Sequence, residues 1–309
     1  MQMKKKRFSL DSYRENLELS VMIFPAILFF LLIHYVPMGG IFLAFKRFRL
    51  DLGFIKSPWV GFENFRFFFI SGKAFIVTIN TVLFNLAFIF TSTLLQIITA
   101  IFLNEIGSKI FKRASQSLLF LPHFISWVVI GAFAYNLLSY EYGIINSLLK
   151  QLGLNPINFY SQPSIWKYFL VFVNSWKWVG YGAIVYLATI VSIDPELFDS
   201  AKIDGANVFQ QIFHITLPQM TPTIITLFML NLGTLLRGDF QMFYQLIGQN
   251  SLLYNATDVI DTYVYRSLTQ NFDVGMAAAA GLYQSVFCFL TIIAANFLLK
   301  KIRKDYALF

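Results

Sequence analysis

The chain has 309 residues, 57% of them hydrophobic and 13% charged, with a formal net charge of +8. Soluble domains average about 25% charged residues, so a soluble globular protein is excluded, and the basic excess sits beside apolar runs as a membrane flank rather than as a nucleic-acid footprint. The single cysteine, Cys288, excludes an internal disulfide, and three histidines offer no metal-ligand spacing.

The basic start, MQMKKKR, leads into a charge-free run over 19–45. A bilayer core about 30 Å thick needs roughly 20 helical residues, and this run exceeds that. It is too long for a secretory signal, and no small-residue cleavage site follows it. The runs along the chain predict spans at 20–45, 75–103, 116–138, 168–192, 218–246 and 275–299. The expected fold class is an all-α polytopic membrane protein with six transmembrane helices. Basic segments at both ends, MQMKKKR and KKIRK, place both termini in the cytoplasm, as an even number of spans requires. The chain then divides into a basic tail (1–17), a first span with its outer loop (18–73), a core of five spans (74–300) and a second tail (301–309). The first outer loop departs from the charge rule, because it carries Lys46, Arg47, Arg49, Lys56, Arg66 and Lys73.

That loop ends in SPWVGFENFRFFF, an aromatic amphipathic stretch suited to lying along the membrane interface. The second outer loop, 139–165, predicts a short surface helix around Leu148, Leu149 and Leu152. The third, about 248–273, reads as polar and exposed. Polar residues inside spans are costly unless they meet protein or water. Asn85, Gln96 and Gln284 read chiefly as helix–helix hydrogen-bonding groups.

In span four, NSWKWVGYG (174–182) carries a lysine about nine helical rises, or roughly 14 Å, into the bilayer. One reading puts Lys177 on a wet substrate path with Asn174, Trp178 and Tyr181 on one helix face and Trp176 beside them as a stacking ring. The other makes Lys177 structural, donating to backbone carbonyls at a broken helix or held in an ion pair. On a straight fifth span Arg237 lies about 28 Å beyond Pro218, where it can pair with Asp239 at an outer pore mouth near Gln241, either as a plain interfacial salt bridge or as a substrate contact.

Between spans four and five lies DSAKIDGANVFQQIFHITLP (199–218). Asp194-Pro195-Glu196 is a helix start, with Asp as the cap and Pro in the first turn. Gly205 marks a bend, and Asn207 with Gln210 makes a second capped start. Val208, Ile212 and Ile215 recur at helical spacing. Two short amphipathic helices are predicted on the inner membrane face.

This stretch resembles the E-A-A, three residues, G, nine residues, I-x-L-P loop of binding-protein-dependent ABC importer permeases. The spacing holds from Asp199-Ser200-Ala201 through Gly205 to Ile215-Thr216-Leu217-Pro218, with Asp for Glu and Ser for Ala. NTVLFN, LPHFISWVVIGAFAYNLLS, GIINSLL, WKWVGYGAIVYLATIVSIDPELFDSAKIDGA, DVIDTYVYR and VGMAAAAGLYQS are similar to the carbohydrate branch of that family. The nearest likeness is to permeases of the MalF type in the LplB/YteP-like subgroup, associated with complex oligosaccharides in Gram-positive bacteria.

The resemblance implies a type I ABC importer permease fold in a bacterial cell membrane, with coupling helices that dock on a cytoplasmic ATPase. It assigns that docking to Glu196, Asp199, Ala201, Asp204, Gly205, Ala206, Phe209, Ile215 and Pro218. The implied partners are a second homologous permease, two ATPase subunits, an extracellular lipoprotein that binds sugar, and an oligosaccharide. ATP and Mg are expected on the ATPase and no cofactor in this chain, which lacks G-x-x-x-x-G-K-[ST]. The alternatives are a secondary sugar transporter and a membrane-embedded glycan enzyme. Against them, no acidic residue within a span reads as a proton carrier, and no acid cluster suggests a catalytic centre.

Overall fold

The computed structural model describes residues 10–70 and 72–302. Among these the chain is helical nearly throughout, and the only β pairing is an isolated antiparallel bridge between Lys46 and Trp59. Helix α1 (Leu10–Phe30) continues through a π-turn (Leu31–Tyr35) into a 3-10 run (Val36–Phe45). Pro25 and Pro37 each remove a backbone donor, in keeping with the irregular winding. The span Leu17–Phe45 stands on the surface of the bundle, with none of its most apolar window buried. Only Leu43 and Ala44, at its end, are buried.

The basic loop that follows is a self-contained knot rather than a free cationic surface. Helix α2 (Gly53–Lys56) offers the Phe54 and Ile55 carbonyls to the buried Lys46 ammonium, at 3.2 and 2.7 Å. Arg47 pairs with Glu63 at 2.7 Å and Arg49 with Asp51 at 2.8 Å. Asn64, on α3 (Glu63–Ile70), donates to the Ala44 and Lys46 carbonyls at 2.8 and 3.0 Å. Three of the six anomalous cations are thus matched locally. The interfacial reading of this stretch is modified: Phe68 is fully buried and packs against Tyr263 and Tyr283.

The centre of the bundle is α4 (Lys73–Glu105) lying along α8 (Pro163–Val191). Glycines permit the close approach of α8 to its neighbours. A β-carbon at Gly180 would sit 1.9 Å from the Leu119 carbonyl, and one at Gly182 2.1 Å from the Gln96 side chain.

Span three is two helices, α5 (Lys109–Phe124) and α6 (Trp127–Leu138), meeting at 91°. Pro122 falls in the last turn of α5, and Ser126 caps α6 by accepting the Val129 N–H. The apolar run crosses this corner without interruption, so hydropathy alone reads one straight span. Helix α7 (Ile144–Gln151) forms where the second outer loop predicted one. Its anchor is Asn146 rather than the leucines: Asn146 donates to the Ser139 and Ile157 carbonyls and accepts the Ile157 N–H at 2.7 Å, while Leu148 and Leu152 stay exposed.

After α8 come α9 (Pro195–Ile203), α10 (Val208–Gln211), a π-turn (Ile212–Thr216) and α11 (Leu217–Leu232). The predicted fifth span over 218–246 is therefore corrected. The helix stops at Leu232, the chain turns through Gly233 and Gly238, and α12 (Phe240–Ile247) packs against α6. The third outer loop is also corrected. It folds into α13 (Tyr254–Thr257) and α14 (Ile260–Thr269), where Val259 and Ile260 are fully buried. Helix α15 (Val274–Ile302) closes the bundle.

Candidate functional site

The 194–217 loop is built by local hydrogen bonds that its residue types dictate. Asp194 caps α9 by accepting the Glu196 N–H at 3.0 Å, with Pro195 in the first turn. Helix α9 ends in a Schellman turn, in which the Ala206 N–H reaches the Ala201 carbonyl at 2.8 Å and the Gly205 N–H reaches Lys202 at 3.0 Å. Gly205 takes φ +81° there, with open space around its α-carbon. Asn207 and Gln210 form the predicted reciprocal capping box, at 2.8 and 2.9 Å.

Ile203 (88% exposed), Phe209 (73%) and Phe213 (63%) are therefore presented outward on short, fixed helices between two spans. Glu196, Asp199 and Asp204 share this exposed surface. Asp199 holds Lys202 at 3.1 Å. Ile215 and Pro218 lie at the root of α11, where the π-turn lets the chain enter the span.

The second feature is a cavity of about 440 Å³ between α4, α8, α11 and the break before α12. Its lining is mostly polar or aromatic: Asn85, Ser92, Thr93, Gln96, Asn174, Trp178, Tyr181, Tyr186, Asn231, Thr234, Arg237 and Asp239. Backbone that leaves the helix in an apolar bundle needs other partners. Asn85 provides them here, donating to the Leu235 and Arg237 carbonyls at 2.9 and 3.0 Å.

Five of the residues predicted for the substrate path meet at this cavity: Asn174, Trp178, Tyr181, Arg237 and Asp239. Three do not. At about 100° per residue, Trp176 lies about 200° around α8 from Asn174, and it is exposed away from the cavity. Lys177 lies about 60° off the Asn174–Trp178–Tyr181 line. It is buried against α5 and α6, where its ammonium donates to the carbonyls of Pro122 (3.3 Å), His123 (3.1 Å) and Ile125 and sits 5.1 Å over the Trp127 ring. These contacts are the ones the structural reading of Lys177 expects at a broken helix. Gln241, on the first turn of α12, is exposed outside the cavity.

The predicted Arg237–Asp239 pair does not form. Helix α11 ends after 16 residues, about 24 Å of rise, and Arg237 lies in the turn beyond it, where its carbonyl accepts from Asn85 and its side chain lines the cavity. Asp239 instead caps α12 by accepting the Met242 N–H at 3.1 Å, and it also accepts from Trp127.

Asn231, Ser92, Thr93 and Thr234 line the cavity and were not singled out in the sequence. The run Asn231-Leu-Gly-Thr, followed by Arg237-Gly-Asp, carried the signal of a helix end inside an apolar stretch. Gln284 behaves as expected, bridging the Leu236 carbonyl and Asp261. Gln96 ties α4 to the Trp178 carbonyl at 3.1 Å and also lines the cavity. Among the described residues no three His, Cys, Asp or Glu side chains converge on a metal-sized site.

Comparison with known proteins gives the same architecture a family. The profile of the binding-protein-dependent transport system inner membrane component matches residues 92–304. The chain is 34% identical to protein LplB of Bacillus subtilis (strain 168) over 290 residues, 93% of this chain and 90% of LplB. It is also 34% identical to the polygalacturonan/rhamnogalacturonan transport system permease protein YteP of the same organism over 305 residues, 98% of this chain and 93% of YteP. It superposes with a TM-score of 0.84 and 33% identity on a chain of a bacterial alginate ABC transporter, solved in complex with an alginate pentasaccharide-bound periplasmic protein, over 95% of this chain and 98% of that one. A capped two-helix loop between spans, a broken fifth span beside a polar cavity and these likenesses converge: the chain belongs to the binding-protein-dependent transport system inner membrane component family, the permease subunits of ABC transporters.

Proposed function

We propose that this permease forms half of the translocation path of an ATP-driven importer for an oligosaccharide delivered by an extracellular binding protein. The observation that carries the reading is the 194–217 loop. It holds exposed apolar side chains on two capped helices between spans, and an apolar patch of this kind marks a site where a partner binds. The partner is an ATPase subunit, because hydrolysis in this family belongs to a separate chain. Glu196, Asp199, Ala201, Asp204, Gly205, Ala206, Phe209, Ile215 and Pro218 form or frame the contact. A short helix fixed at both ends by membrane spans converts movement of the ATPase into rotation of those spans.

The cavity is the sugar path. Trp178 and Tyr181 offer ring faces, and Asn85, Gln96, Asn174 and Asn231 offer amides to hydroxyls. Oligosaccharide transport by relatives, and a bound periplasmic protein in the alginate system, support the substrate class and the delivery route. The exposed first span fits a second permease packed against this one, completing an assembly with two ATPases and a lipoprotein, both termini facing the cytoplasm of a Gram-positive cell.

The test is co-expression with a neighbouring second permease, an ATPase and a binding protein, followed by one-step purification and reconstitution. ATPase activity that rises on addition of sugar-loaded binding protein is expected. A chain that purifies without an ATPase and transports sugar on an ion gradient would make it a secondary transporter.

A further inference from the structure

A second concavity, of about 480 Å³, lies in a groove between α4 and α8, where α13 contributes Ala256. It is on the far side of α4 from the polar cavity: Ala87, which lines the groove, lies about 140–180° around the helix from the cavity-lining Ser92 and Gln96. The polar donors within the groove are already spent inside the protein. The Thr91 hydroxyl donates to the Ala87 carbonyl at 2.7 Å and pairs with the Ser175 hydroxyl at 2.9 Å, and the Asn80 amide donates to the Asn255 and Asp258 carbonyls at 3.3 and 3.1 Å. What stays open is apolar, with Leu83, Leu95 and Phe172 exposed along it. Such a surface suits hydrocarbon and not a sugar, whose hydroxyls would find no partners there.

The rim of the groove is different. Lys167 and Tyr168 stand exposed there, at the end of α8 away from the 194–217 loop. Among the described residues no carboxylate lies within ion-pair distance of Lys167. From Lys167 to Ser175 the groove follows α8 for about 12 Å of rise, close to the roughly 15 Å that one leaflet contributes to a bilayer core about 30 Å thick. An apolar trough as deep as one leaflet, with a cation and a tyrosine at its outer edge, matches the layout of a glycerophospholipid, chains below and phosphate above.

We propose that this groove binds an anionic glycerophospholipid of the outer leaflet, with one acyl chain lying along Ala87 and Thr91 and the phosphate held by Lys167. The direction rests on the half-path reading above: the polar cavity faces the second permease, so the opposite side of α4 faces lipid. The seated chain fills space between the two helices at the centre of the bundle that neither fills itself.

The complete assembly in phosphatidylcholine nanodiscs tests this, with phosphatidylglycerol carrying a photoreactive group at mid-chain as the probe. Illumination followed by peptide mapping should place the label on the groove faces of α4 and α8. A87F, which fills the groove, should lose that label while the exposed first span is labelled as before. K167Q should lower phosphatidylglycerol labelling of the groove roughly 5-fold, the worth of one cation beside an anionic lipid. It should leave labelling by a phosphatidylcholine probe unchanged. Equal labelling of wild type and A87F overturns the site, and equal labelling of wild type and K167Q overturns the phosphate contact. Failure of A87F to assemble, or a cross-link from L83C to the second permease, overturns the proposal by seating that subunit in the groove. Sugar uptake by the wild-type assembly in proteoliposomes decides the transport reading separately, and no labelling result alters it.

Discussion

The Lys177 ammonium donates to the His123 carbonyl at 3.1 Å, so a charge on span four is held by the broken end of span three. The C-terminal end of α5 leaves carbonyls without helical partners and carries the negative end of the helix dipole. Lys177 donates to the carbonyls of His123 and Ile125, shares that of Pro122 with the Ile125 N–H, and faces the Trp127 ring. K177M should therefore act on stability. Each buried carbonyl left unpaired costs about 1–3 kcal/mol, so the thermal midpoint and the yield of assembled complex should both fall. Uptake per folded complex should stay near wild type. A K177M assembly of normal stability that had lost uptake would return Lys177 to the substrate path.

Gly205 tests the coupling loop through conformation alone. Its φ of +81° is open to glycine, and nothing lies within 4 Å of an added β-carbon. An L-residue other than Asn or Asp loses about 1–2 kcal/mol in that region. G205V should insert and express normally but lower sugar-stimulated ATPase activity and uptake, because α9 and α10 then meet at a different angle. G205N, which tolerates a left-handed cap, should retain most of the activity. Equal loss in both variants would mean that the turn is not the reason Gly205 is there.

Phe209 tests the same loop through its contact. It is 73% exposed on a helix with no covering element among the described residues. An aromatic anchor at the centre of an interface contributes 2 kcal/mol or more, a loss of roughly 30-fold in affinity. F209A should therefore release the ATPase during purification while the permease pair stays intact. Retention of the ATPase at wild-type stoichiometry in dilute conditions would move the contact elsewhere.

The parts of this protein legible in its sequence are those decided within a turn or two of chain. The caps at Asp194, Asn207 and Gln210 follow from which side chains can reach a neighbouring N–H, and the structure forms all three. The apolar runs likewise identify the membrane segments, because length and transfer energy set them. The corner at Ile125–Ser126 was not legible, because a break inside an apolar run changes no hydropathy, and the end of α11 at Leu232 was marked only by the glycines and charges that follow it. Both depend on remote partners: Lys177 lies some fifty residues after the carbonyls of the first break, and Asn85 some 150 residues before those of the second. The direction of Lys177 was ambiguous for the same reason. Helical spacing put it at the edge of the Asn174–Trp178–Tyr181 face, and the unpaired end of α5 decided which way it turned.

The two glycines that flank Tyr181 should give opposite results. A β-carbon at Gly180 would sit 1.9 Å from the Leu119 carbonyl oxygen and 2.3 Å from its carbon, backbone atoms that cannot move without shifting α5. G180A should therefore separate α5 from α8, disturb the Lys177 contacts and leave little assembled complex. At Gly182 the obstacle is the Gln96 side chain, 2.1 Å away, which can swing. G182A should assemble but displace the Gln96 amide from the Trp178 carbonyl it now donates to at 3.1 Å. The displaced amide has open space on the cavity side, where Gln96 is already part of the lining. Uptake should then slow while the yield of complex stays close to wild type. Size-exclusion chromatography of each variant, followed by uptake normalised to folded complex, separates the two outcomes. Full assembly of G180A would show that α5 and α8 are less closely packed than these distances require, and unchanged uptake by G182A would remove Gln96 from the path.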